Sequence, residues 1–135
     1  MADLRHLEIP SNGLRGPIPA ELGNLANLES LYLRGNQLTG TIPAEIGKLA
    51  KLENLDLSYN QLAGGVPGEL GNLIDLTSLK LDSNRLTGAL PASLTRLQQL
   101  DEIWFERNSG LCAPSESGFL EWLSSRINIG PICSP

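Results

Sequence analysis

Three stretches of nine residues decide the fold of this chain: LESLYLRGN at 28–36, LENLDLSYN at 52–60 and LTSLKLDSN at 76–84. All three follow the pattern L-x-x-L-x-L-x-x-N, and they begin 24 residues apart. The pattern also starts at Leu4 and at Leu100, with other apolar residues at some of the leucine positions. About a dozen constrained positions that recur in register at one period indicate a repeat protein.

The second half of each repeat is constrained as well. It reads L-x-G-x-(I/V/L)-P-x-x-(L/I)-(G/T)-x-L, as in 38–49. Glycine allows a tight turn and proline fixes an extended backbone, so this half has room for only a short 3₁₀ or helical turn. Four complete repeats and a fifth half reach Asn108, so the predicted segments are 1–108 for the repeats and 109–135 for a C-terminal cap.

The composition fits a small packing unit that is used repeatedly. Leucine accounts for 27 of the 135 residues, whereas Phe, Tyr and Trp together number six. In L-x-L the two leucines face the same side of a short strand, and the next repeat places an equivalent strand beside it. We therefore expect a parallel sheet of five strands, one per repeat. Each strand is followed by an asparagine whose side chain can satisfy buried backbone groups. These asparagines are Asn12, Asn36, Asn60, Asn84 and Asn108.

The whole pattern resembles the plant-type leucine-rich-repeat family, which includes plant receptor ectodomains, pectinase-inhibitor proteins and some bacterial proteins. The resemblance covers 4–108, which is 105 of the 135 residues. It implies an α/β leucine-rich-repeat solenoid, a right-handed superhelix with a short parallel sheet on its concave face, where ligands usually bind. No signal peptide opens the chain, so either the natural protein lacks one or this is the mature or trimmed part of something longer. The chain departs from secreted plant members in two features, because it lacks the paired N-terminal cysteines and the N-x-S/T triplets that are common in them. These departures favour a bacterial or engineered member.

The pattern breaks after Asn108, and a helical spacing replaces it. Pro114-Ser115 is typical of a helix start, and the apolar residues that follow predict an amphipathic helix that covers the last coil. A solenoid needs such a cap at its end. The apolar residues at helical spacing are Phe119, Trp122, Leu123 and Ile127.

Cys112 and Cys133 are the only cysteines, and they flank this predicted helix. An even pair around a terminal cap predicts a disulfide, which would stabilise the fold by about 3 kcal/mol through loop closure. Free thiols are the alternative. A disulfide would indicate an oxidising, extracellular or cell-surface location.

Residues that vary at the strand positions are the candidates for function. The side chains that point outward from neighbouring strands should lie side by side, and Tyr, Trp and Arg are the residue types that dominate binding hot spots. The alternative is that this face binds no ligand and is only a solvated sheet surface, with Trp104 partly packed against the cap. The predicted ligand-binding residues are Tyr32, Arg34, Asp56, Tyr59, Lys80, Asp82, Trp104 and Glu106.

Several functional classes are disfavoured. The net charge of −5 and the scattered basic residues disfavour nucleic acid, and no apolar run is long enough to insert into a membrane. The chain has one histidine, His6, with no evident nucleophile beside it, and its glycines do not form a phosphate loop. Asp82 and Glu106 are expected to be neighbours, but glycosidase chemistry with two carboxylates needs a cleft. We expect no catalysis, no cofactor and no metal.

The sequence therefore predicts a non-catalytic protein- or peptide-binding module. The alternative is a structural or self-associating segment of a larger receptor or adhesin, because the first strand, with Leu4, Leu7 and Ile9, forms an uncovered edge. Carbohydrate binding through Tyr32 or Trp104 and ice binding on the convex side are minor alternatives. The candidate convex columns are too irregular for ice: Arg15, Thr39, Ala63, Thr87 in one and Pro17, Thr41, Gly65, Ala89 in the other.

Overall fold

The computed structural model of this chain describes residues 3–134. Met1, Ala2 and Pro135, which the predicted segments 1–108 and 109–135 include, lie outside the described residues.

Short strands alternate with single helical turns along the chain. In chain order the strands are β1 (His6–Glu8), β2 (Arg15–Pro17), β3 (Ser30–Tyr32), β4 (Gln37–Thr39), β5 (Asn54–Asp56), β6 (Ala63–Gly64), β7 (Ser78–Lys80), β8 (Arg85–Leu86), β9 (Glu102–Trp104) and β10 (Ile127–Ile129). The 3₁₀ helices are Ala20–Asn24, Ala44–Lys48, Gly68–Asn72 and Ala92–Arg96, and the α-helix α1 is Ser117–Ser124.

The main sheet is parallel, with the order β1-β3-β5-β7-β9-β10. Its register pairs Leu31 with Leu55 and Leu55 with Leu79, and these three leucines point into the core, each no more than 1% exposed. The prediction of one parallel strand per repeat is confirmed. The expected total of five strands is wrong for this sheet, because β10 from the C-terminal cap pairs with β9 and adds a sixth.

The opposite side of the coil carries the four 3₁₀ helices, as the second half of the repeat predicts. Each begins directly after the proline of its repeat, where the backbone is extended. Glycine allows successive turns to approach closely. A Cβ added at Gly47 would lie 2.6 Å from the carbonyl oxygen of Glu69 in the next coil.

Two short parallel pairs, β2 with β4 and β6 with β8, lie between the main sheet and these turns along the chain. Their register differs from the 24-residue spacing of the main sheet. Thr39 pairs with Pro17 rather than Arg15, and Ala63 pairs with Arg85 rather than Thr87. The predicted convex columns are therefore wrong, because this part of one coil is shifted by two residues relative to the next.

Leucine side chains fill the centre of the coils. Leu52, Leu55, Leu57 and Leu62 of a single repeat are each no more than 1% exposed. Such leucines stack on the equivalent residues of the neighbouring coils and form one continuous core. The apolar residues of the first coil, such as Leu4 and Leu7, are only partly buried.

The recurrent asparagines bind the backbone as the sequence predicts. The Asn60 side-chain amide donates to the carbonyl oxygens of Leu57 in its own coil and Leu33 in the preceding coil, at 3.1 and 3.0 Å. Its Oδ1 accepts a hydrogen bond from the Leu38 backbone N–H at 3.1 Å. One side chain therefore joins two coils where the chain leaves the strand.

The C-terminal segment closes the last coil. Phe119, Trp122 and Leu123 of α1 are buried against the repeats, which confirms the predicted capping role of these three residues. The predicted helix is too long, because α1 ends at Ser124 and Ile127 begins strand β10 with 61% of its surface exposed. Gly130 follows β10 and lies against the buried ring of Phe105, where any larger residue would overlap it.

Cys112 and Cys133 form a disulfide, as predicted, with their Cα atoms 4.9 Å apart. The bond links the segment before α1 to the segment after β10 and so holds both ends of the cap. None of the helices in the described part of the chain has the length and apolar character needed to cross a bilayer.

Candidate functional site

The candidate site lies on the concave face, which we define as the side of the six-stranded sheet that points away from the core. The register of the sheet places Tyr32 beside Asp56, Asp56 beside Lys80, and Lys80 beside Trp104. The row predicted from the 24-residue spacing therefore exists. It crosses four neighbouring strands, because parallel strands in register place equivalent residues side by side.

A shallow pocket of about 350 Å³ opens on this face. Six of the eight predicted ligand-binding residues line it, whereas Tyr32 and Asp56 do not. The lining also includes Arg107, which follows Glu106 and was not among the predicted residues. The full lining is Arg34, Tyr59, Lys80, Asp82, Trp104, Glu106 and Arg107.

Arg34 lies on one side of the pocket and has two partners. Its guanidinium carbon is 4.5 Å from the centre of the Tyr59 ring, and its Nη1 donates a hydrogen bond to Ser58 Oγ at 3.4 Å. Tyr59 has a left-handed backbone conformation, with φ of 56°, at a position that is left-handed in every repeat. That conformation belongs to the turn of the repeat, and the site uses it to carry an aromatic ring.

Ser58 holds the carboxylate of Asp56, which lies beside Lys80 in the sheet. The Ser58 hydroxyl and backbone N–H both donate to Asp56 Oδ1, at 2.5 and 3.0 Å. Ser58 is fully buried and Asp56 is 7% exposed. Ser58 is not among the residues predicted from the sequence. The available signal was its place between Arg34 and Asp82 in the same row of the sheet.

Lys80 and Trp104 form the opposite side of the pocket. The Lys80 ammonium is 5.6 Å from the centre of the Trp104 ring, a cation–π arrangement. Trp104 Nε1 donates a hydrogen bond to Glu102 Oε1 at 2.8 Å, which fixes the orientation of the indole. One face of this ring is therefore occupied by a cation of the protein itself.

Asp82 is the most deeply placed charged residue of the pocket, with 6% of its surface exposed. Burial raises the pKa of its carboxyl group above the ordinary value, and the neighbouring carboxylates of Asp56 and Glu106 raise it further. A hydrogen bond with its own backbone and the positive charge of Arg34 oppose that shift in pKa.

Strand β10 adds two apolar residues to the concave face. Ile127 pairs with Glu102 and Ile129 pairs with Trp104, so both isoleucines continue the outward-facing rows of the sheet. Ile127 is 61% exposed and Ile129 is partly exposed. This patch is not among the predicted sites, because the helical spacing predicts that Ile127 belongs to the capping helix. The alternation Ile-Asn-Ile before Gly130 fits a strand, but three residues alone do not distinguish a strand from the end of a helix.

Within residues 3–134, no group of three or more His, Cys, Asp or Glu side chains could hold a metal ion. What the pocket offers is two aromatic rings, three cations and two carboxylates on a partly open surface.

Comparison with known proteins places the repeats in a known class. A family model described as leucine rich repeat matches residues 2–62, and a second model of that description matches residues 75–97. A search of the curated proteins found no match.

Solved structures are similar over most of the chain. The ectodomain of the plant membrane receptor kinase GASSHO1/SCHENGEN3 from Arabidopsis thaliana, solved with CASPARIAN STRIP INTEGRITY FACTOR 2, is 38% identical over 97% of this chain, with a TM-score of 0.88. The BIR2 ectodomain from Arabidopsis thaliana is 34% identical, with a TM-score of 0.71, and the match covers 78% of this chain and 68% of BIR2. A plant ice-binding protein is 34% identical, with a TM-score of 0.80, over 87% of this chain and 38% of that protein.

The large receptor ectodomains are much longer than this chain. The match covers 16% of the GASSHO1/SCHENGEN3 ectodomain, so the similarity concerns a few of its repeats rather than the whole receptor.

Proposed function

Because the chain belongs to the plant-type leucine-rich-repeat family, we propose that it is a non-catalytic module that binds a protein or peptide on its concave face. The observation that carries this proposal is the pocket between Arg34 and Trp104, where aromatic and charged side chains from neighbouring strands converge. Residues of these types supply most of the binding energy in protein interfaces.

The size of the pocket supports a peptide segment or a single protruding side chain as the ligand. At about 350 Å³ it lies near the lower end of the range of about 300–1,000 Å³ that ligand pockets span. Ile127 and Ile129 extend the surface beyond Trp104 and offer apolar contact for a neighbouring ligand residue. An extended peptide that crosses the strands would contact both regions.

The similar structures support the same class of partner. One of them is a plant receptor ectodomain solved in complex with CASPARIAN STRIP INTEGRITY FACTOR 2. The Cys112–Cys133 disulfide supports an extracellular or cell-surface location, because such bonds persist in oxidising compartments.

Selection from a phage library of random peptides tests this function. The oxidised full chain is the bait, and the Tyr32→Ala/Trp104→Ala variant is the counter-bait. We expect peptides that bind the full chain and lose binding to this variant, because the two changes remove aromatic contact area from the concave face.

A Thr39→Ala/Thr87→Ala variant is the matched control, since both threonines are exposed outside the concave face. All three proteins must first show the same circular dichroism spectrum. Peptides that bind all three proteins equally, or no selected peptide at all, would contradict binding on the concave face.

Self-association is the second candidate, and the first coil supplies the observation that favours it. Leu4, Leu7 and Ile9 are partly exposed, whereas Leu28, Leu31 and Leu33 at the same positions of the next repeat are no more than 4% exposed. Among the described residues β1 has a strand partner on one side only. The same selection separates the two functions, because association through β1 does not need the concave side chains.

The register of the short strands disfavours ice binding, the activity named for one of the similar structures. Ice recognition would need regular columns of threonine on an exposed face, whereas Thr39 here pairs with Pro17, and Ala63 pairs with Arg85.

A further inference from the structure

We propose that the concave pocket takes a positively charged group, the ammonium of a lysine or the guanidinium of an arginine side chain in the bound peptide. This inference rests on the proposed function, because it names the chemistry of the ligand for the same site.

The first argument is the arrangement of the acidic side chains. Asp82 lines the pocket and is 94% buried, and Glu106, at the same position of the next repeat, lines it too. The two residues are neighbours, since the Ser83 N–H next to Asp82 donates to the Glu106 carbonyl oxygen at 3.0 Å. A carboxylate that is removed from water gains more from an opposite charge than one at the open surface, because solvent screens the pair less.

The second argument is that the cations of the site are engaged elsewhere. Arg34 lies on the Tyr59 ring and donates to Ser58, and Lys80 lies over the Trp104 ring. Across residues 3–134, the single ion pair within 4.0 Å joins Arg5 to Glu29, far from this pocket in sequence. Asp82 and Glu106 therefore face the pocket without a cation of the protein in contact with them.

The carboxylates of Asp56 and Asp82 differ in their hydrogen-bond partners. It is buried to the same degree as Asp82, but its Oδ1 accepts two hydrogen bonds from Ser58. Two positions after Asp82 stands Asn84, whose side chain binds backbone carbonyl groups instead. The Asp82 carboxylate is left with a hydrogen bond from its own backbone and with the charge of Arg34, which is not in ion-pair contact with it. The direction of the pKa shift of Asp82 agrees with a negative charge that the folded protein leaves incompletely compensated.

A cationic side chain fits the pocket in shape as well as in charge. A guanidinium or ammonium group can donate charge-assisted hydrogen bonds to both carboxylates, and its alkyl stem can lie against the aromatic rings. Arg107, the remaining cation of the lining, is exposed, so water screens its charge more than it screens the buried Asp82 carboxylate. An anionic ligand group would instead meet Asp82, Glu106 and the nearby Asp56.

The experiment uses peptides that the full chain selects through its concave face. We expect an arginine or lysine at one recurrent position of these peptides. For an arginine peptide, synthesis with citrulline in its place removes the charge and keeps the shape. Isothermal titration calorimetry should show that citrulline weakens binding to the full chain by about tenfold to a hundredfold.

Asp82→Asn identifies the partner of that charge. Citrulline should weaken binding to this variant much less than binding to the full chain, because the charge has already lost its partner. Asp75→Asn removes the same charge outside the pocket and is the control. Citrulline should weaken peptide binding to this variant as much as it weakens binding to the full chain. If Asp82→Asn does not fold, Glu106→Gln provides the same comparison.

Two results would overturn the inference and leave the proposed function intact. One is a set of concave-dependent peptides with no recurrent basic residue. The other is an equal loss on citrulline substitution in the full chain and in Asp82→Asn. Selection of no concave-dependent peptide would remove both the inference and the proposed function.

Discussion

Asn60 serves backbone groups of two successive coils with a single side chain. It donates to carbonyl oxygens of both coils and accepts from the Leu38 N–H, all in a region that is closed to water. The leucines around it stabilise the fold by burial, which does not depend on direction. The hydrogen bonds of the asparagine do depend on direction, so they hold the end of each strand at a defined distance from the end of the preceding strand.

Asn60→Ala tests this role. The change leaves buried donors and acceptors without partners, each at a cost of about 1–3 kcal/mol, so we expect a loss of about 3 kcal/mol in the free energy of unfolding. Urea denaturation measures it. Asn12→Ala is the matched control, because Asn12 occupies the same repeat position but is exposed, and its side-chain amide donates to Pro10 at the surface.

We expect Asn12→Ala to lower the free energy of unfolding by less than about 1 kcal/mol, since water can replace its side chain. Equal losses for the two variants would show that the hydrogen bonds of the buried asparagine do not join the coils as described.

The cap depends on two short elements and one covalent bond. Helix α1 covers the last coil with Phe119 and Trp122, strand β10 extends the sheet, and the Cys112–Cys133 disulfide joins the segments on either side. Trp122 Nε1 also donates to the Leu97 carbonyl oxygen at 3.3 Å, which connects the cap to the last 3₁₀ turn.

Cys112→Ser/Cys133→Ser tests the contribution of the disulfide. The bond closes a loop with a sequence separation of 21 residues, and its loss should lower the free energy of unfolding by about 3 kcal/mol. Urea denaturation measures the loss, and adding a reductant to the unmodified chain should reproduce it. An unchanged free energy of unfolding would show that the packing of α1 and β10 alone holds the cap.

The repeated elements could be predicted from the sequence, and the cap only in part. The 24-residue period fixes the register of β1, β3, β5, β7 and β9, because every slip would misplace many leucines at once. After Asn108 no repeat constrains the pattern, and the three residues of β10 are too few to distinguish a strand from the end of a helix.

The same limit applies to the site. The period predicts which side chains share a row, and six of the eight predicted residues do line one pocket. The period does not predict the rotamer of each side chain. The contacts of Arg34 with Tyr59 and of Lys80 with Trp104 are therefore visible only in the structure. The full burial of Ser58 could not be predicted, because the sequence places this polar residue at an outward-facing position of the repeat.

At the scale of the whole molecule, stacked coils turn a short pattern into a continuous surface. Each coil contacts its neighbours along the sheet and along the 3₁₀ turns, so the strands stay in register across the face. Leucines maintain this scaffold while the outward positions vary. A substitution at an outward position, such as Trp104, can therefore change recognition with little effect on the core.

The most direct test of binding on the concave face is an amide chemical-shift map. The nitrogen-15-labelled oxidised chain is titrated with a peptide selected by the full chain and followed by two-dimensional NMR. We predict that the largest shifts lie on β5, β7 and β9 and on the indole N–H of Trp104. Shifts confined to the 3₁₀ helices or to α1 would contradict binding on the concave face.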